Sequence, residues 1–204
     1  MTRLDAVCSL IIHAGTIADV GCDHGIVARY LSDNSGLCEQ VIASDISEQC
    51  LNKAMAALGG RSNVLFVLCD GIRYDCDEAV IAGMGGVLIA EILKKAKPLP
   101  NTLVLCPHRN SEEVRTALTE LGYCIERDMI VKERGKFYFV LRASKGVEHT
   151  PLTELQILFG KHYDEKNAIL QEYLTKQYNT YAVAPEQNKL KLDAIKAAIA
   201  AQTR

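Results

Sequence analysis

Apolar residues recur along this chain at two different spacings. Between residues 3 and 143, short aliphatic and β-branched runs alternate with stretches whose apolar positions return every three or four residues. The first pattern predicts buried strands and the second predicts amphipathic helices. Residues 3–14 read as a helix with Leu4, Val7, Cys8, Ile11 and Ile12 on one face. Residues 17–20 read as a strand ending at Gly21, followed by a helix over about 24–33 and a strand over 40–44. Ser47 is placed to cap a helix carrying Cys50, Leu51, Ala54 and Leu58 on its apolar stripe. Strands at 63–68 and 79–82, a helix at 87–96, a strand at 102–106 and a helix at 111–121 capped by Ser111 complete the alternation.

The alternation then stops. Residues 123–132 and 136–143 are consecutive strand-like segments joined only by Glu133-Arg134-Gly135, a connection short enough for nothing but an antiparallel hairpin. Five parallel β-α units closed by a hairpin differ from the ordinary dinucleotide-binding fold, which continues to a sixth parallel strand. The expected fold class is therefore α/β: a Rossmann-like, mostly parallel sheet of the methyltransferase kind, ending in an antiparallel hairpin.

Ser144-Lys145-Gly146 and Thr150-Pro151 supply breaker residues, and no strand-like run follows them. Phe159, Tyr163, Leu170, Leu174, Tyr178 and Tyr181 lie close to a heptad seam, Pro185 interrupts, and Leu192, Ile195 and Ile199 continue. Two antiparallel helices are expected, as an arm projecting from the sheet or as a cap on it. The division is a sheet domain over 1–146 and a C-terminal helical domain over 151–204.

Composition narrows the function. The 204 residues carry 23 Lys+Arg and 25 Asp+Glu, a net charge of −2, with 49% hydrophobic residues. That balance belongs to a globular chain and excludes nucleic-acid binding by bulk charge alone, while leaving room for a local basic face. The eight cysteines, at 8, 22, 38, 50, 69, 76, 106 and 124, form no CxxC and no zinc-finger spacing with histidine, so no metal site is expected. The N-terminus lacks a signal-peptide apolar segment and no run is long enough to span a bilayer. These features point to a cytoplasmic protein with reduced thiols, away from membranes. Nothing in the sequence sets the oligomeric state, and a monomer is the working expectation.

The loop after the first strand, Asp19-Val20-Gly21-Cys22-Asp23-His24-Gly25, opens the following helix. A nicotinamide fingerprint needs glycines at 21, 23 and 26, but positions 23 and 26 are Asp and Ile. The D-x-G-x-x-x-G pattern suits S-adenosylmethionine instead, a cofactor without phosphates whose ammonium and sulfonium favour carboxylates. Asp45 ends the second strand, where an acid can accept both hydroxyls of a ribose. Asp70, in Cys69-Asp70-Gly71, ends the third, within reach of an adenine amino group. Acids at three successive strand ends face the crevice where open parallel sheets bind ligands. The fourth strand runs into Gly83-Met84-Gly85-Gly86, a loop expected to lie flat beneath a ligand.

Together, Arg3-Leu4, IADVGCDHG at 17–25, ASDI at 43–46, CDGI at 69–72, IAGMGG at 81–86 and KFYFVLRA at 136–143 resemble the bacterial tRNA (adenine-22, N1)-methyltransferase family. The family's C-terminal coiled-coil-like domain matches the helical arm. The chain departs from the family pattern at Pro107-His108, where members carry Pro-Asn, and at Phe139, where they tend to carry an acid. The resemblance implies that Asp19, Gly21, Cys22, His24, Gly25, Asp45, Ile46, Asp70, Gly71, Gly83, Met84 and Gly85 hold S-adenosylmethionine. It implies methyl transfer to N1 of an adenine in tRNA, with Asp23 as the catalytic candidate; capping the next helix is that residue's alternative role. The RNA-facing charge would come from Lys94, Lys95, Lys97, Arg127, Lys132, Arg134, Lys136 and Arg142. Rival readings are a methyltransferase for another RNA or a small molecule, a nicotinamide oxidoreductase, and a non-catalytic module that kept the cofactor pocket.

Overall fold

The computed structural model describes residues 1–146 and 151–203. Its centre is a seven-stranded sheet in the order β3-β2-β1-β4-β5-β7-β6. The strands are β1 (Ala14–Val20), β2 (Cys38–Asp45), β3 (Val64–Leu68), β4 (Glu78–Ala82), β5 (Thr102–Cys106), β6 (Cys124–Glu133) and β7 (Lys136–Ser144). β1 to β5 are parallel, while β7 pairs antiparallel with both β5 and β6. The helices are α1 (Arg3–Leu10), α2 (Ile26–Asp33), α3 (Glu48–Leu58), α4 (Gly86–Lys95), α5 (Ser111–Glu120), α6 (Glu154–Phe159), α7 (Ala168–Tyr181) and α8 (Lys189–Ala201). Buried apolar residues form one core on each face of the sheet, as a sheet of inner parallel strands requires.

Several elements depart from the periodicity. The first helix stops at Leu10 rather than continuing to 14, and β1 begins at Ala14. Ala14 and Thr16 are drawn into register with Cys38 and Gln40 of β2, so strand pairing overrides the helical spacing there. No helix joins β3 to β4; residues 69–77 cross as a loop, with Ile72 buried and the Tyr74 hydroxyl 2.5 Å from Ser44 Oγ. Asn110, at φ 55°, holds the cap position of α5, and Ser111 is the first helical residue. Ser47 caps α3, its Oγ accepting the Cys50 amide hydrogen at 3.3 Å.

The C-terminal segment contains three helices instead of two. Gly160, at φ 107°, ends α6, and Asn167 starts α7 by accepting the Ile169 and Leu170 amide hydrogens. Pro185 lies in the turn before α8 and starts no helix itself. Phe159, Leu170, Leu174, Ile195 and Ala198 share one core with the sheet, so the base of the helical segment is docked on it. A buried ion pair holds the junction: Arg115 on α5 meets Asp128 on β6 at 2.8 and 3.0 Å. Arg115 also donates to the Ile157 carbonyl, and Asp128 accepts the Lys161 amide hydrogen. The expected turn at Thr150-Pro151 lies partly outside the described residues, Thr150 being one of those not described.

Candidate functional site

Parallel strands point their carboxyl ends to one side, and the loops leaving them diverge into a crevice. Here that crevice is a cleft of about 500 Å³, lined from β1, β2, β3, β4 and the loop after β5. Asp19, Gly21, Cys22, Asp23, His24, Asp45, Ile46, Asp70, Gly71, Gly83 and Met84 all line it. Gly25 and Gly85 do not. Each occupies the N-cap position of a helix, α2 and α4 respectively, behind the cleft wall. A Cβ on Gly25, at φ 66°, would stand 3.2 Å from Leu58 Cδ1 and 3.3 Å from Ala54 Cβ, so glycine here serves the turn and the close approach to α3.

Asp19 is buried at the cleft floor, and its Oδ2 accepts the Ala28 amide hydrogen at 2.9 Å. Burial pushes its carboxyl up to about 7; the Ala28 hydrogen bond opposes the shift and the Asp45 charge adds to it. Asp45 spreads its two oxygens, Oδ1 accepting from the Ser47 amide at 2.8 Å and Oδ2 from the Asp23 amide at 3.2 Å. Each oxygen retains a lone pair for a ligand hydroxyl. Asp70 is exposed beyond the end of β3, at the same edge of the cleft as Asp45. Cys22 is buried, and burial raises its thiol to about 12, which makes it an inert wall.

Asp23 has φ 37°, unusual outside glycine, and is half-exposed. Burial pushes its carboxyl up, but the Cys50 thiol, His24 and Lys53 together outweigh that and hold it below the usual carboxylate range. Lys53 Nζ lies 3.4 Å from Oδ1, and His24 Nε2 lies 3.4 Å from Oδ2. Because Gly25 takes the cap of α2 and no side chain caps it, the helix-capping alternative for Asp23 is removed.

The glycine loop after β4 divides its residues between the cleft, at Gly83 and Met84, and packing, at Gly86. A Cβ on Gly86 would stand 1.9 Å from the Asn110 carbonyl oxygen, so this position is glycine to let α4 approach the loop after β5. Gly21, at φ 77°, faces Met84, whose Cε would sit 2.0 Å from a Cβ there.

Arg3 and His108, both outside the cofactor set, complete the mouth. Arg3, the first residue of α1, lines the cleft and hydrogen-bonds through Nη1 to His108 Nε2. Its guanidinium lies 5.2 Å above the Tyr138 ring, and His108 meets that ring edge-on at 5.9 Å between centroids. Burial first, then the charges of Arg3 and Lys136, lower the His108 pKa and favour its neutral form. The Arg3-Leu4 dipeptide was a motif in the sequence, but only the fold shows that it reaches a residue more than a hundred positions away.

His108 also borders a second cleft, of about 470 Å³, between the loop after β5, β7 and α7. Among the expected basic residues, Lys136 lines it. Arg142 does not face solvent: it is buried against Glu78 at 2.7 Å and the Leu10 carbonyl at 2.7 Å, a structural role that withdraws it from any RNA-facing set. Lys94 pairs with Glu120, Lys95 with Glu91 and Lys132 with Glu172. All eight thiols are free, and no cluster of metal-ligating side chains occurs among the described residues. No helix among them is long and apolar enough to cross a membrane.

A parallel sheet closed by an antiparallel hairpin, with acids at successive strand ends and a glycine turn after β1, defines a class I methyltransferase. The family described as a methyltransferase domain matches residues 1–141. A Mycoplasma pneumoniae protein described as a tRNA methyltransferase is 34% identical over 87% of this chain and 86% of its own length. The tRNA (adenine(22)-N(1))-methyltransferase of Bacillus subtilis is 28% identical over 93% of this chain and 90% of its own. The solved structure of M. capricolum TrmK with S-adenosyl-homocysteine superposes with a TM-score of 0.85, at 25% identity, covering 100% of this chain and 96% of that one. The chain belongs to the bacterial tRNA (adenine-22, N1)-methyltransferase family.

Proposed function

We infer that this protein transfers a methyl group from S-adenosylmethionine to N1 of adenine 22 in tRNA. The observation that carries the reading is the length of the match. The B. subtilis enzyme aligns over 93% of this chain, so the likeness includes the C-terminal helices as well as the cofactor half. The cleft fits the cofactor chemically, since the aspartates Asp19, Asp23, Asp45 and Asp70 outnumber Arg3 among its charged side chains and the cofactor carries an ammonium and a sulfonium. When bound, S-adenosylmethionine supplies an electrophilic methyl group on sulfur.

Asp19 is assigned to the cationic amino-acid end and Asp45 to the ribose hydroxyls, with Asp70 beside the adenine. Gly21, Cys22, His24, Ile46, Gly71, Gly83 and Met84 form the walls, while Gly25 and Gly85 shape the loops behind them. N1 of neutral adenine carries a free lone pair, so alignment matters more than a strong base. Asp23, ionised at neutral pH, is placed to stabilise the positive charge that develops on the methylated ring. Its depressed pKa makes it an electrostatic partner rather than an effective proton acceptor.

The substrate adenine must leave the stacked tRNA core to reach the cleft. Eight free thiols support work in the reducing cytoplasm. The test is incubation of the protein with labelled S-adenosylmethionine and bulk unmodified tRNA. The reading predicts label in 1-methyladenosine; label confined to other nucleosides, or none in tRNA, would overturn it.

A further inference from the structure

The second cleft, between the loop after β5, β7 and α7, meets the first at His108, which among the described residues is the only one to line both. Arg3 lines the first cleft alone and Tyr138 the second alone. The Arg3 guanidinium above the Tyr138 ring, with the His108 ring edge-on beside it, therefore forms the partition between them. Charge reverses across that partition. The first cleft sets four aspartates against Arg3, whereas the second sets Arg109, Lys136 and Lys176 against Glu112. Lys94, Lys95 and Lys132 are paired with glutamates, but no such pair involves Arg109, Lys136 or Lys176 among the described residues. All three are exposed.

Aromatic rings line the same space. Tyr173 on α7 meets Phe137 and Phe139 of β7 edge-on, at 5.6 and 5.5 Å between centroids, which fixes the wall. Lys176 reaches across to β7, its Nζ lying 5.7 Å from the centre of the Phe137 ring. A cationic groove with aromatic walls is the arrangement that holds single-stranded nucleic acid, the cations taking phosphates and the rings taking base faces. An acidic peptide would satisfy the lysines but give the rings no flat partner. At about 470 Å³ the cleft has the size of a small-molecule pocket, which suits one nucleotide better than a length of strand. An adenine extruded into the first cleft leaves its strand outside. The residue beside it then lies one backbone step from the mouth, where the second cleft opens past His108.

We propose that the second cleft binds the nucleotide adjoining the target adenine in the RNA strand, its phosphate held by Lys136 and Lys176 and its base laid against Tyr138. This rests on the methyl-transfer reading above and adds to it a seat for a second nucleotide. Arg109 supplies further charge at the same rim. The partition of Arg3, His108 and Tyr138 keeps the two bases apart, so that only one of them reaches the methyl donor.

The test is methylation kinetics and filter binding with an adenine-22 tRNA transcript, beside calorimetry with S-adenosylmethionine, for the wild type, Lys136→Gln, Lys176→Gln and Tyr138→Leu. Each lysine variant is expected to raise KM for the transcript about fivefold and to lower the slope of log Kd against log salt by about 1. Affinity for S-adenosylmethionine should stay as in the wild type. Tyr138→Leu should raise KM by about fivefold to a hundredfold, the range for losing one stacked base. Two further transcripts, each lacking the base on one side of adenine 22, locate that contact. One of them should raise KM for the wild type by a larger factor than for Tyr138→Leu, which has already lost the stacking partner. Equal factors for both proteins with both transcripts would overturn the proposal. So would an unchanged KM and salt slope in the lysine variants, or a loss of cofactor affinity as large as the rise in KM. A wild type that binds S-adenosylmethionine but methylates no tRNA would reject the methyl-transfer reading itself, and this proposal with it.

Discussion

The carboxylate of Asp19 accepts the amide hydrogen of Ala28 at 2.9 Å, locking the end of β1 to the first turn of α2 at the floor of the cleft. One oxygen is thereby committed to the fold, and the group as a whole is buried with a pKa of about 7. Because this folded-state value lies above the unfolded value of 3.8, Asp19 favours the folded state at low pH. That contribution is lost as pH rises from about 4 through 7. A cationic ligand at the floor reverses the preference, since it favours the ionised form. Affinity for S-adenosylmethionine should therefore fall as pH drops from 8 to 6, by up to about tenfold per unit below 7. Calorimetry across that range should show the dependence in the wild type, and a weaker, flatter profile in Asp19→Asn.

Asp23 is held ionised by the Cys50 thiol, His24 and Lys53, which outweigh the opposing effect of burial. If its charge stabilises the methylated ring, Asp23→Asn should lower turnover by about a hundredfold, the order found for removing one electrostatic stabiliser. Cofactor affinity should change little, because the backbone amide that bonds Asp45 is untouched. Single-turnover methylation beside calorimetry separates the two effects. Undiminished turnover with intact binding would remove Asp23 from the mechanism.

Gly86 separates packing from ligand contact in the loop after β4. Its substitution by alanine places a Cβ 1.9 Å from a backbone carbonyl oxygen of Asn110, which no side-chain rotation relieves. Gly86→Ala is expected to cost about 1–3 kcal/mol of stability through a forced shift of the loop after β5. Urea denaturation measures that cost. Gly83→Ala has open space around it and loses only the φ 89° conformation, so its cost should be the smaller of the two.

Arg115 and Asp128 are both fully buried, and the pair joins α5, β6 and the turn after α6. Removing one charge strands the other, at a cost of about 3–5 kcal/mol. Arg115→Ala should thus unfold at distinctly lower denaturant than the wild type. A change in the midpoint below the scatter of exposed variants would contradict the assignment.

Most of the sheet was legible in the sequence, because buried parallel strands leave apolar runs and their partners leave three- and four-residue spacings. The hairpin was legible because Glu133-Arg134-Gly135 leaves no room for a helix. The errors lie where long-range contacts outweighed local pattern. Ala14 and Thr16 joined a strand whose partner begins at Cys38, and Gly160 broke a helix whose apolar spacing continued. In the site, Asp19, Asp45 and Asp70 were visible as acids at strand ends, whereas Arg3 and Tyr138 come from opposite ends of the domain and meet only in the fold. Arg142 shows the reverse case. It reads as a surface charge, and only the buried Glu78 explains it.

The central claim is methylation of one nitrogen at one position. Two transcripts of the same tRNA, one with adenine and one with guanine at position 22, should be incubated with the protein and S-adenosylmethionine and mapped by primer extension. A stop at position 22 in the adenine transcript, with none in the guanine transcript, is the predicted result. Equal methylation of both transcripts, or a stop at another position in both, would contradict it.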